Sequence, residues 1–303
     1  MLEVPDGHEQ AIQIGVWYPS EGLPSERANA AGQRLAINSQ VMGGVHPLVI
    51  ISPGNGAGIE AHADTAFALA EAGYIVASIA HTGDTVGQKT SRPSKWMIDR
   101  PRHVRRTIDY LLEAWPERSK IAATRIGMFG FSAGGFTALV TAGGHPNLRL
   151  ASQFCNRSKG ELACRLAMTR DFSSKMVASR ANDPWVSDPR VRAVVVASPG
   201  LGFSFDKEAL KDVQVPVQLW AASDDRNAPI ASNALIVQKN LPHPPEVHVV
   251  EGVGHFIFSR PCNPKREPQR KRSCVSPTNF TQEEFHQVFN NKIMQFFDLS
   301  LPQ

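Results

Sequence analysis

The sequence predicts an α/β fold, a β-sheet with helices packed against it. Strand-like and helix-like segments alternate along the chain, the pattern of a sheet whose strands are joined by helices. Several of the strands are short, uninterrupted apolar runs suited to burial on both faces. The size agrees: 303 residues, 42% hydrophobic and 20% charged, describe a folded protein whose core needs no metal or disulfide to hold it. Length alone allows one α/β domain or two.

Ala11–Tyr18 alternates Ile12, Ile14, Val16 and Tyr18, a half-buried strand. Pro47–Ser52 is a short apolar run fit for a doubly buried strand, and Tyr74–Ala80 is the next strand. Between them the Ala-rich stretch Glu60–Ala72 reads as a helix closed by Gly73. Asp99–Ala114 is a second helix, with Pro101 in its first turn and Val104, Ile108, Leu111 and Leu112 at helical spacing. Arg125–Phe129 is a strand that runs through Gly130-Phe-Ser-Ala-Gly-Gly135 into a helix over Phe136–Ala142. Arg192–Ala197, Val215–Ala222 and Glu246–Glu251 are further strands. Thr281-Gln-Glu-Glu284 is a capping box. It opens a final helix whose Phe285, Val288, Phe289, Ile293 and Phe296 form one apolar face.

Two stretches break this rhythm. Residues 145–190 are polar, hold no clear strand and read as helical in pieces; an insert of that length between sheet elements is usually functional. Residues 260–278 carry Lys265, Arg266, Arg270, Lys271 and Arg272 among prolines. That is a solvated loop, with an anion or surface contact as the alternative.

Composition excludes several classes. Thirty-two Lys and Arg against 28 Asp and Glu leave a net charge of +4, too small and scattered for a nucleic-acid partner. The longest apolar runs, such as Leu48–Ile51 and Ala193–Ala197, fall far short of the roughly 20 residues of a membrane span. The N-terminal segment carries Glu3 and Asp6 and has no basic start followed by an apolar run, so it does not read as a signal peptide. The four cysteines form two local pairs, Cys155 with Cys164 and Cys262 with Cys274. Neither pair has zinc-knuckle spacing. They are either free thiols or two disulfides closing surface loops, and disulfides require an oxidising compartment.

The strongest chemical signal is Gly130-Phe131-Ser132-Ala133-Gly134, a G-x-S-x-G between a strand and a helix. Such a turn lifts a serine hydroxyl above the sheet edge with a helix N-terminus behind it. A serine hydroxyl is a poor nucleophile unless a base takes its proton and an acid orients the base. In this architecture the order is Ser, then Asp or Glu, then His. Of ten histidines, His255 fits, since it follows the strand Glu246–Glu251 through a glycine loop. His8, His62, His103, His145 and His286 read as surface or packed side chains; His243 and His248 lie before and inside the strand. Asp224 and Asp225 both follow the preceding strand, and spacing does not choose between them. Asp171, Asp183 and Asp188 lie in the insert, and Asp206 and Asp212 lie well past the strand Arg192–Ala197. For the oxyanion, one backbone N–H comes from Ala133, after the nucleophile. The second is assigned to Asn55 in Ser52-Pro-Gly-Asn-Gly-Ala-Gly58, where glycines let backbone approach a ligand. This loop lacks the Gly-Lys-Ser/Thr of a phosphate cradle.

With these residues in place the chain resembles the α/β-hydrolase superfamily. More narrowly it resembles bacterial predicted dienelactone hydrolases related to platelet-activating-factor acetylhydrolase. The landmarks are Val16-Trp-Tyr-Pro-Ser20, Leu48-Val-Ile-Ile-Ser-Pro-Gly54, Gly73-Tyr-Ile-Val-Ala77 with His81, and Asp99-Arg-Pro101. Further along are Gly130-Phe-Ser-Ala-Gly-Gly135, Val215-Pro-Val217, Asp225 four residues before Pro229, and Gly254-His-Phe256 with Cys262 soon after. The resemblance implies an α/β-hydrolase fold: a mostly parallel eight-stranded sheet with helices on both faces, one domain over 1–303, and a small helical cap from 145–190. It favours Asp225 over Asp224, implies Asn55 and Ala133 as oxyanion donors, and favours the disulfides, hence a periplasmic or secreted location over a cytoplasmic one. The chain departs from the family in three places. Ser52-Pro53-Gly54 stands where His-Gly is common. Ser132 replaces the cysteine nucleophile of true dienelactone hydrolases. Ser198-Pro-Gly-Leu-Gly202 carries no acid where the eukaryotic acetylhydrolases have one.

The expected activity is hydrolysis of a small-molecule carboxylic ester through an acyl-enzyme on Ser132, with no cofactor or metal, on short-chain or aryl esters. Trp96, Trp185, Phe131 and Phe256 are candidates for an apolar acyl pocket or for core. The alternatives are a phospholipase A2-like reaction, an amidase or peptidase with the same three residues, and a non-catalytic receptor on the same fold. The oligomeric state is left open.

Overall fold

A computed structural model describes residues 1–29, 31–85, 95–158, 160–162, 164, 185–262, 267, 274, 277 and 279–301. Eight strands form one sheet: β1 Leu2–Asp6, β2 Glu9–Trp17, β3 His46–Ser52, β4 Ile75–Ala80, β5 Ile121–Phe131, β6 Val191–Ala197, β7 Val217–Ala222 and β8 Glu246–Val250. Their spatial order is β1-β2-β4-β3-β5-β6-β7-β8. β2 pairs antiparallel with β1 and β4, and every pairing from β4 to β8 is parallel. This is the α/β-hydrolase fold.

The helices are α1 Ala63–Glu71, α2 Lys95–Glu113, α3 Ala133–Thr141, α4 Leu148–Arg157, α5 Lys207–Leu210, α6 Ala234–Asn240 and α7 Gln282–Ser300. The pleat of the central strands explains why helices cover both faces. In β3, Leu48 and Ile50 point into one core with α2, α3 and α4, while Val49 and Ile51 point into the other with α1 and α7. β6 divides the same way, Val194 and Val196 against Val195 and Ala197. These side chains are fully excluded from water, and each except the Ala197 methyl contributes about 1.5–3 kcal/mol of transfer free energy. A continuous apolar run is therefore the sequence of a strand with no solvent face.

The predicted elements are present, with shifted ends. The stretch predicted as a helix from Glu60 is a 3₁₀ turn over Ile59–His62 followed by α1. α2 begins at Lys95 rather than Asp99, so Pro101 lies inside it rather than in its first turn. The packing of Met97 and Val104 in the core outweighs the hydrogen bond that a proline removes. β1 was not expected; it pairs only with β2, at the sheet edge. In α7 the capping box forms in both directions and Phe285, Phe289, Ile293 and Phe296 are buried. Val288, expected on that face, is instead 58% exposed. In 145–190 the described residues include α4, whose N-cap Asn147 accepts from the Leu150 N–H; residues 165–184, with Asp171 and Asp183, lie outside the described residues. Lys265, Arg266, Arg270, Lys271 and Arg272 also lie outside them.

Both cysteine pairs are disulfides, Cys155–Cys164 and Cys262–Cys274. The first closes a segment in which Asn156, Arg157 and Gly160 are exposed, but its two cysteines are themselves fully buried in the core that holds α4. Among the described residues no helix is long and apolar enough to cross a membrane.

Candidate active site

β5 ends at Phe131 and α3 begins at Ala133, so the chain must reverse within one residue. Ser132 does this at φ 56° and ψ −114°, a left-handed conformation that stores about 1–3 kcal/mol in a non-glycine residue. The surroundings over-determine it. Ser132 N–H donates to the Ala197 carbonyl at 2.9 Å, and the Ser132 carbonyl accepts from Gly200 N–H at 2.9 Å. The flanking glycines are a steric requirement. A Cβ on Gly130 would collide with the Gly134 carbonyl, and a Cβ on Gly134 would collide with the Ser52 carbonyl. The strained turn is thus wedged between the ends of β3 and β6.

His255 opens the 3₁₀ turn after β8, and its ring packs 4.7 Å from Phe131 and 5.3 Å from Phe256. Its Nε2 lies 2.9 Å from Ser132 Oγ and its Nδ1 lies 2.7 Å from Asp225 Oδ2. The other oxygen of Asp225 accepts from Asn227 and Ala228 N–H groups, both at 2.8 Å. A carboxylate gripped on one oxygen has its second oxygen aimed. With Asp225 accepting, Nδ1 carries the proton and Nε2 is left to accept from Ser132. Both His255 and Asp225 are nearly buried. Asp224 is exposed, and its carboxylate faces Ser223 Oγ at 3.2 Å. The structure therefore brings Ser132, His255 and Asp225 into one line and leaves Asp224 outside it.

Ala133 is the first residue of α3, so its N–H has no carbonyl within the helix to bond. The loop after β3 comes alongside: a Cβ on Gly54 would stand 3.6 Å from Ser132 Cβ. Asn55 follows on the exposed side of that loop. Its side chain donates to Asp84 Oδ1, which also accepts from Gly56 N–H at 3.1 Å. The arrangement can take a proton from a hydroxyl and deliver the resulting nucleophile beside a helix N-terminus, where the Ala133 N–H has no partner within the helix.

The aromatic candidates divide. Phe131 and Phe256 flank His255. Trp96 and Trp185 both pack against Phe136 of α3, 5.4 and 6.2 Å between ring centres, and so continue the core. Of the histidines set aside, His286 bridges Asp64 and the Ile257 carbonyl, His248 stacks on Trp220, and His8, His145 and His243 are exposed.

Sequence reasoning missed a buried polar layer beneath the site. Ser52 Oγ lies 2.8 Å from His81 Nε2, and His81 Nδ1 lies 3.2 Å from His103 Nδ1. His103 in turn lies 3.4 Å from Asp6, which also pairs with Arg102. Burial, with the charges of Arg100 and His103, holds His81 well below the ordinary histidine range, so it is neutral. Arg100, fully buried, meets Asp84. His81 and the Asp99-Arg-Pro101 motif stood out in the sequence only as landmarks. No periodicity links residues so far apart. Among the described residues no group of three or more His, Cys, Asp or Glu is placed to hold a metal ion.

Comparison with protein-family models and with curated proteins finds no match. Among solved structures, the chain is similar to a ferulic acid esterase from Streptomyces cinnamoneus, with a TM-score of 0.62 and 21% identity over 96% of this chain and 83% of that one. At that identity the likeness is one of fold.

Proposed function

We propose that this chain is a serine-dependent carboxylic ester hydrolase. One observation carries the reading: Ser132 Oγ, the His255 ring and the Asp225 carboxylate form a continuous hydrogen-bonded line of 2.9 and 2.7 Å, with the serine on a strained turn at a helix N-terminus. His255 Nε2 takes the hydroxyl proton as Ser132 Oγ attacks the ester carbonyl. The Asn55 and Ala133 N–H groups hold the oxyanion. Asp225 steadies the imidazolium, which then protonates the departing alcohol. Water, deprotonated by His255, attacks the acyl-enzyme, and Ser132 leaves with its proton restored.

Short-chain or aryl esters are the proposed substrates. The aromatic walls of the histidine, Phe131 and Phe256, support this, and so does the fold likeness to an enzyme described as a ferulic acid esterase. The narrower kinship with the dienelactone hydrolase and acetylhydrolase group rests on the sequence landmarks. We further propose one domain over 1–303, with 145–190 as a cap braced internally by Cys155–Cys164. The two disulfides support an oxidising compartment, periplasmic or extracellular.

The test is Ser132→Ala assayed on p-nitrophenyl butyrate, with a fluorophosphonate probe alongside. Turnover should fall at least about 10³-fold, and the probe should label the wild type and not the variant. Wild-type turnover in Ser132→Ala would overturn the reading. An acyl-length series should fall off beyond about six carbons; retained activity on long acyl chains would point to a phospholipase A2-like substrate instead. Matched ester and anilide substrates separate an esterase from an amidase.

A further inference from the structure

The geometry points to Arg100 and Asp84 as positioning residues that fix and polarise the Gly54–Asn55 peptide, the loop-borne half of the oxyanion hole. The inference rests on the ester-hydrolase reading above. Arg100 lies in α2, 1% exposed, in the middle of the motif that the sequence left without a role. Its guanidinium spends its donors on three acceptors. Nη1 donates to the Pro53 carbonyl at 2.7 Å, Nη2 to the Gly54 carbonyl at 3.0 Å, and Nε to Asp84 Oδ2 at 2.7 Å. Asp84 Oδ1 then accepts from the Asn55 side chain and from Gly56 N–H. Four consecutive residues of the loop, Pro53 to Gly56, are therefore held by one buried ion pair.

The Gly54 carbonyl is the decisive contact, because it belongs to the same planar unit as the Asn55 N–H. The chain has no cis peptide bond among its described residues. In a trans peptide the N–H and C=O point in opposite directions. Anchoring the carbonyl on Arg100 therefore turns the Asn55 N–H to the side of the loop away from the arginine, in a loop that runs close enough to Ser132 for a Gly54 Cβ to stand 3.6 Å from the serine Cβ. A cation on the carbonyl oxygen also draws electron density through the amide and makes that N–H a stronger donor. Trp96 covers the guanidinium, whose central carbon stands 5.8 Å from the ring centre. A buried guanidinium whose Nε, Nη1 and Nη2 all donate to fixed oxygens gives a fixed field, the condition for stabilising charge that appears only in the transition state.

The experiment compares Arg100→Lys, Asp84→Asn and Asn55→Ala with wild type and with Ser132→Ala. It reads kcat and KM on p-nitrophenyl acetate and inhibition by an aryl trifluoromethyl ketone, whose hemiketal with a serine places an oxyanion in the hole. Thermal unfolding reports whether each variant is folded. Folded Arg100→Lys and Asp84→Asn should lose roughly 10- to 100-fold in kcat with KM within about twofold, and should bind the ketone more weakly by the same factor. Asn55→Ala keeps the backbone donor and loses one tether, so its kcat should fall several-fold. Asn55 is exposed, so this variant folds and decides the matter if the buried pair tolerates no change. Unchanged kcat and ketone affinity in a folded variant, or a loss confined to KM, would overturn the inference. If Ser132→Ala is inactive while the positioning variants match wild type, the positioning role fails and the ester-hydrolase reading stands. If Ser132→Ala keeps wild-type turnover, the reading itself fails.

Discussion

Ser132 and Asp225 differ in how they can be found. The serine announces itself because its turn demands small residues at fixed offsets, and Gly130 and Gly134 meet that demand with no room for a Cβ. Gly134→Ala should therefore cost more than about 3 kcal/mol or fail to accumulate, because its methyl meets backbone and not a movable side chain; urea unfolding measures it. Asp225 is different, since spacing fits the adjacent Asp224 equally well and only the family resemblance, through Pro229, favours Asp225. What selects Asp225 is that the Asn227 and Ala228 N–H groups fix one of its oxygens, leaving the other for His255. Asp225→Asn should lower kcat about 10³- to 10⁴-fold by disrupting the histidine tautomer, while Asp224→Asn should stay within about twofold. Equal losses from the two would reject the assignment.

At the level of elements, the strands were legible because burial on both faces leaves no polar position to interrupt an apolar run. α7 was legible from its cap. Thr281 accepts from Glu284 N–H, and the Glu284 carboxylate returns to Thr281 N–H. That helix carries Phe289, Ile293 and Phe297 into the core beneath β5 and β6. Thr281→Ala should cost about 1 kcal/mol and Ile293→Ala about 2–5 kcal/mol, both read as shifts in the denaturation midpoint. β1 escaped because one face of an edge strand is wet and Pro5 interrupts its pattern. α2 began earlier than its proline suggested, since packing of one helix face outweighs a single missing hydrogen bond.

Across the whole molecule, the disulfides and the buried histidine layer set the conditions under which the fold holds. Each disulfide closes a short loop, worth about 2–3 kcal/mol on chain-entropy grounds. Thiol titration of the denatured, unreduced protein should find no free cysteine, and reduction should lower the melting temperature; four reactive thiols before reduction would refute the pairing. Stability should also fall with acid in two stages. His81 stays neutral in the folded protein, because burial and the charges of Arg100 and His103 depress its affinity for a proton. Unfolded, it takes up a proton below about pH 6.5, so its contribution is complete above that pH and is lost as pH falls beneath it. Burial pushes the Asp6 carboxyl up, but His103 and Arg102 together pull it further down, so its contribution is lost only below about pH 4. Melting temperatures from pH 8 to 3 should show both declines. His81→Gln should flatten the first and Asp6→Asn the second; parallel curves for all three proteins would contradict this.

The sequence by itself determined the α/β class and the tight turn at Ser132, because these are dictated by burial that repeats along a short stretch and by local sterics, and it singled out His255 by its place in chain order after the last strand. It also exposed the two cysteine pairs. The tertiary structure alone decided which aspartate faces His255, that Cys155 and Cys164 are core rather than surface, and that Arg100 and Asp84 sit behind the Ser52–Gly56 loop. Those are contacts between residues as far as 47 positions apart for Arg100 and Pro53 and 30 for His255 and Asp225. They exist only after the sheet has brought its strand ends together, and a pattern with a period of two or 3.6 residues carries no trace of them.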